Sequence, residues 1–188
     1  MNPIFSAALE VQEFCLGKNW RFCFIGAIAV QRWGEPRLTL DVDLTVLTGF
    51  GNEEAFIDSF LEEFPSRIPD ARQFGLENRV LLIEGVEKIP IDVALGAMPF
   101  EERAVGRASA FPIAEGVSLT TCSAEDLIVF KAFAGRDKDW LDVEGIIIRQ
   151  AGKLDEGVIW GELKPLVELK QEPGISERLR DLLERHRI

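Results

Sequence analysis

At 188 residues and 47% hydrophobic content, the chain can build one ordinary domain with a sizeable core, which excludes wholesale disorder. A formal net charge of −11 excludes broad, unspecific adhesion to DNA, which needs basic surface, yet allows a phosphate-bearing substrate whose charge is met locally. No apolar run approaches the ~18 residues of a membrane span. Met1-Asn2-Pro3-Ile4 lacks the basic start of a secretion signal, and Cys15, Cys23 and Cys122 lack metal-ligand spacing. The expectation is a cytoplasmic protein with buried, reduced thiols.

Ile4 to Leu16 shows rough helical periodicity through Ile4, Phe5, Ala8, Leu9, Val11, Gln12 and Leu16, with Gly17 as a stop. Arg21 to Ile25 is a short apolar run of strand length, broken by Gly26. Ala27 to Trp33 then reads as a short helix closed by Gly34, with Pro36 forbidding continuation. Thr39 to Leu47 reads as a strand. Asn52 suits the N-cap of a helix from Glu53 to Phe64, whose first turn is acidic as the helix dipole prefers. Two or three strands are predicted next, at Arg72–Leu76, Arg79–Glu84 and Lys88–Leu95, with turns at Asn78 and Gly85. A helix at Pro99–Val105 precedes extended pieces at Ser109–Ile113 and Val117–Leu119. From Ser123 the pattern becomes helical: an N-capped helix to Ala134 closed by Gly135, then helices at 137–150, Glu156–Leu169 and Ser176–Arg187. The reading is an α+β core over residues 1–120 and a C-terminal helical region over 121–188 packed on it.

Chemistry concentrates in Asp41-Val42-Asp43-Leu44. Carboxylates at i and i+2 of an extended segment share one face, and like charges that close repel unless a cation lies between them. Mg²⁺ fits, because it accepts a couple of carboxylates and completes its shell with water and phosphates. Gly26, after a strand and before a helix, lets backbone approach a ligand, and the helix N-terminus offers N–H groups to phosphate. An ordinary tight turn would look the same. Asp92 stands among apolar neighbours on a predicted strand. Arg37 and Thr39, just ahead of the acidic pair, could meet phosphate oxygens or face solvent. Lys131 lies on an apolar helix face, so its ammonium needs a partner, either a triphosphate or a carboxylate of the first domain. Arg136 to Asp139 reads as a salt-bridged turn. Trp20, Trp33, Trp140 and Trp160 read as core rather than as a base-stacking platform. The single histidine, His186, reads as a surface residue at a frayed helix end, so histidine triads and zinc sites lack support.

Glycine with a small neighbour, a gap of about a dozen residues, then Asp-hydrophobic-Asp-hydrophobic resembles the signature of the DNA polymerase β-like nucleotidyltransferases. The segment Phe24–Asp43 looks most like the small bacterial AbiEii-type toxin branch, and Ser123–Val143 resembles that branch's helical element. The resemblance spans roughly residues 20 to 150. It implies a mixed sheet flanked by helices and transfer of a nucleoside monophosphate from an NTP to an acceptor hydroxyl. The acceptor would be an RNA or tRNA 3′ end, a protein or a small molecule, and the partner of a toxin would be an antitoxin protein. It also implies one or two Mg²⁺ ions on Asp41, Asp43 and Asp92 as catalytic and metal-binding residues. Gly26, Ala27, Arg37, Thr39, Lys131 and Arg136 would be nucleotide-binding residues. The chain departs from the pattern at Ala27, where the family usually has Gly or Ser; alanine supplies no hydroxyl to phosphate. A catalytically weak nucleotide-binding module on the same fold is the alternative.

Overall fold

Residues 2–186 are described in a computed structural model. The chain forms two compact units: residues 2–28 with Leu38–Cys122, and Ala29–Arg37 with residues 123–186. Met1, where the predicted leader-free start begins, and Arg187, where the last predicted helix ends, lie outside the described residues.

The first unit holds a mixed six-stranded sheet made of β1 (Phe22–Phe24), β2 (Val42–Leu47), β3 (Val80–Glu84), β4 (Pro90–Gly96), β5 (Ser109–Ala114) and β6 (Val117–Thr121), in the order β3-β4-β2-β1-β6-β5. β2 runs parallel to β4 and antiparallel to β1; β3–β4 and β5–β6 are antiparallel. Alternation sets the two faces. Val42, Leu44 and Val46 of β2 and Ile91, Val93 and Leu95 of β4 are buried, while Asp43 and Asp92 between them are only half-buried. The buried face packs under α1 (Pro3–Gly17) and α3 (Glu53–Glu63), whose Val11, Ile57 and Phe60 are fully enclosed. Asn2 caps α1 by accepting from the Ile4 N–H at 3.0 Å, with Pro3 in the first turn. Trp20 joins Phe14, Phe56 and Phe60 in an aromatic cluster, with ring centroids 4.4 Å apart for the Trp20–Phe56 pair.

Gln12 sits in α1 among these apolar residues and is 7% exposed. Its Nε2 donates to Ser118 O at 2.8 Å and its Oε1 accepts from Thr120 N at 2.9 Å. β1 pairs with β6 only at Phe24 and Thr121, and the amide of Gln12 serves the Ser118 O and Thr120 N of β6.

The predicted strand Arg72–Leu76 is instead a helix, α4 (Ala71–Asn78), and Asn78 lies within it rather than in a turn. Ala71, Arg72, Gln73, Leu76 and Glu77 are good helix formers and none is β-branched. Gln73 and Glu77 hydrogen-bond one turn apart at 2.6 Å. Arg79 closes α4 with φ +54. Asn52 stands at the N-cap of α3 without making a side-chain capping bond. β2 starts at Val42, so Asp41 lies just ahead of the strand instead of within it.

The second unit contains α6 (Ala124–Ala134), α7 (Asp137–Arg149), α8 (Glu156–Lys170) and α9 (Gly174–Arg185). Ser123 caps α6 by accepting from the Asp126 N–H at 3.1 Å, and Gly135 ends it with φ +73. His186 is not a free surface residue: its Nε2 lies 2.8 Å from Glu144 Oε1. Trp140 is buried, with Arg178 stacked over it. The three cysteines are buried, and burial pushes the Cys15 thiol up to about 12. Among the described residues no helix is long and apolar enough to cross a membrane.

Candidate functional site

In the first unit, the backbone aligns Asp43 of β2 with Asp92 of β4 and Asp92 with Leu82 of β3. Residues paired across strands project on the same face. Arg67 extends this row, because its N–H donates to Leu82 O at 3.0 Å. Its Nη2 donates to Asp92 Oδ1, while its Nε is buried with no hydrogen-bond partner. Burial pushes the Asp92 carboxyl above its ordinary value; Arg67 opposes that shift and the charge of Asp41 adds to it. Asp41 is therefore close enough to be felt by Asp92. Arg67 carries no sequence signal: Ser66-Arg67-Ile68 fits no motif, and only strand pairing brings it to the row.

Thr39 holds Asp41. Its hydroxyl lies 2.8 Å from Asp41 Oδ1 and 3.1 Å from Asp41 O, which fixes the carboxylate ahead of β2. That hydroxyl is engaged with Asp41, not turned outward for phosphate. Gly26 opens α2 (Gly26–Trp33) with φ +58, a left-handed conformation that favours glycine. A Cβ there would stand 2.6 Å from Asp43 Cγ and 2.7 Å from Asp43 Cβ, so the missing side chain is the space the carboxylate fills. The adjoining Ala27 is 3% exposed. Its methyl is buried in the helix start, where a serine hydroxyl would need a partner.

Among the described residues no three His, Cys, Asp or Glu side chains form a group that could hold a metal ion. Asp92 is drawn to Arg67. Asp41 and Asp43 nonetheless have the donor chemistry for Mg²⁺, which commonly uses one or two carboxylates and takes its other ligands from substrate phosphates and water. The residues fit an ion that arrives with a nucleotide, not a caged resident ion.

The other predicted residues lie in the second unit. Lys131 is 6% exposed; its Nζ is 3.2 Å from Asp139 Oδ1 and 2.7 Å from Asp142 Oδ2. Arg37 grips Asp142 with a fork, Nε to Oδ1 at 3.0 Å and Nη2 to Oδ2 at 3.1 Å. Arg136 grips Asp139 likewise, at 2.5 and 3.2 Å. Each carboxylate thus meets the buried ammonium and one guanidinium fork. Burial raises both carboxyls, but the hydrogen bonds and charges of Arg136, Arg37 and Lys131 outweigh it and hold them below the usual range. The ammonium, expected to meet a triphosphate or a first-domain carboxylate, finds its partners inside its own unit. Asp139 and Asp142, three apart on α7, share a face, a spacing that signals the pairing once α6 is placed beside it.

No protein-family model matches the chain, and no curated protein matches it. Solved structures do. An antigenic nucleotidyltransferase-like protein from Paracoccidioides brasiliensis aligns over 94% of this chain and 91% of its own, with 17% identity and a TM-score of 0.54. The lincosamide antibiotic adenylyltransferase LnuA, solved with lincomycin bound, aligns over 75% of this chain and 94% of its own, with 8% identity and a TM-score of 0.51. With its mixed six-stranded sheet and helices, the chain has the α+β fold of nucleotidyltransferase-like proteins.

Proposed function

We propose that the chain is a nucleotidyltransferase that moves a nucleoside monophosphate from an NTP to the hydroxyl of a small molecule, releasing pyrophosphate. The observation that carries this reading is the row of Asp43 and Asp92 with Asp41 beside it, on the half-open face of a sheet, against a glycine with no room for a side chain. The likeness in fold to nucleotidyltransferase-like proteins supports it. Asp41 and Asp43 would hold Mg²⁺, which when bound supplies positive charge to the phosphates. Thr39 keeps the Asp41 carboxylate oriented. Gly26 gives Asp43 its place and leaves the start of α2 open to backbone contact. Asp92, aligned with Asp43 on the neighbouring strand, would complete the carboxylate set and could orient or deprotonate the attacking hydroxyl. In the second unit, Arg37, Arg136 and Lys131 hold Asp139 and Asp142.

The AbiEii-like resemblance would allow an RNA 3′ end or a protein as acceptor and an antitoxin as partner. The net charge of −11 favours a small acceptor over a long polyanion, and LnuA, an antibiotic adenylyltransferase, acts on such a molecule. The test is incubation with Mg²⁺, each α-labelled NTP and a panel of hydroxylated small molecules and RNAs. The expected result is label on a small molecule, lost in Asp41→Asn and Asp43→Asn. Label on RNA alone would move the acceptor to nucleic acid. Mg²⁺-dependent NTP binding without any transfer would favour a binding module, the reading that the buried methyl of Ala27 supports.

A further inference from the structure

We infer that Arg67 is the resident counter-cation of the carboxylate row and surrenders Asp92 when a divalent cation enters; this rests on the metal-assisted reading above. The backbone brings Arg67 to the row, through its bond to Leu82 and the pairing of Leu82 with Asp92. The contact it makes there is incomplete. Arg37 and Arg136 each use Nε and Nη2 together to fork a carboxylate, as a structural tie does. Arg67 instead reaches one oxygen of Asp92 through Nη2 alone and leaves Nε buried without a partner. A guanidinium stays charged at any working pH, so room for a metal at Asp92 comes by exchange of one cation for another and not by neutralisation. Side-chain exposures of 24% for Arg67 and 35% for Asp92 leave both reachable.

Arg67 is thus a positioning residue whose departure completes the acidic site. The test is Mn²⁺ binding to the full chain, freed of metal, followed by the electron paramagnetic resonance of the free ion with and without a non-hydrolysable ATP analogue. Arg67→Gln is expected to bind Mn²⁺ about tenfold more tightly, the order of effect of removing one neighbouring charge. Arg67→Lys is expected to fall between it and the wild type. In an Asp92→Asn background the gain disappears. Circular dichroism checks folding, and if Arg67→Gln does not fold, Arg67→Lys decides alone. Unchanged or weaker binding in the variants, or a gain that survives Asp92→Asn, overturns the inference. If the wild type binds Mn²⁺ through Asp41 and Asp43 while Arg67→Gln changes nothing, the counter-cation role falls and the proposed function stands. No Mn²⁺ uptake by any variant removes both.

Discussion

Replacing Gly26 by alanine separates a backbone requirement from a site requirement. Gly26 and Gly116 both have left-handed backbones, with φ +58 and +69, and both belong to the first unit. A Cβ at Gly116 meets nothing within 4 Å, whereas one at Gly26 overlaps the Asp43 carboxylate. Gly116→Ala therefore reports the conformational cost alone, about 1–2 kcal/mol. Gly26→Ala carries that cost plus an overpacking penalty of about 1–3 kcal/mol, for a total of about 2–5 kcal/mol. For a chain of this length each kcal/mol lowers Tm by roughly 2–4 °C. Thermal unfolding should then show a fall of roughly 2–8 °C for Gly116→Ala and roughly 4–20 °C for Gly26→Ala, the latter always the larger. Because Asp43 must move, Gly26→Ala should also weaken Mn²⁺ binding, which Gly116→Ala leaves intact. Equal losses of Tm in the two variants, with Mn²⁺ binding preserved in both, would refute the claim that glycine is needed there to seat the carboxylate.

Asp92 has a raised affinity for its proton in the folded state, so folding is favoured below the unfolded value and that advantage is lost as pH rises through the folded one. At neutral pH without divalent metal, Asp92→Asn should raise Tm, and a fall in Tm would count against the assignment. Asp139 and Asp142 are shifted the other way, so their stabilisation is present above the unfolded value and is lost as pH falls through the folded one. Acid titration followed by the fluorescence of buried Trp140 should show the second unit loosening below about pH 4, and a midpoint unmoved in Asp142→Asn would contradict this. Asp142→Ala, which strips a partner from the buried Lys131, should cost about 3–5 kcal/mol in urea unfolding. Gln12→Leu should cost roughly 1–3 kcal/mol, because Ser118 O and Thr120 N lose their partner, and protection of the Thr120 amide from hydrogen exchange should drop with it.

Much of the element order was legible because its signals are local. Ser123 before Glu125-Asp126, Gly135 after Ala134 and Gly34 after Trp33 each mark a helix end with neighbouring residues only. The strand read at Arg72–Leu76 failed where local signals conflict: Phe74 and Leu76 alternate as a strand does, but Gln73 and Glu77 pair as a helix does. Gly75 then lets α4 pack on Ile57, whose Cδ1 would lie 3.0 Å from a Cβ. Gln12 falls among the roughly periodic positions of the first predicted helix, but its purpose depends on β6, more than a hundred residues away in sequence.

The same division runs through the candidate site. Asp41, Asp43 and Gly26 stand out in the linear chain, because spacing by two and a glycine between a strand and a helix are properties of neighbours. Sequence also determined the acid balance, the apolar alternation that buries Val42, Leu44 and Val46, and the lack of any membrane-length run. Only the tertiary structure decided that Asp92 aligns with Asp43, that Arg67 reaches Asp92 and that Lys131 is met by Asp139 and Asp142. Strand register and ion pairing join residues far apart in the chain. They are set by which faces of distant elements are buried together, a choice that no local window contains.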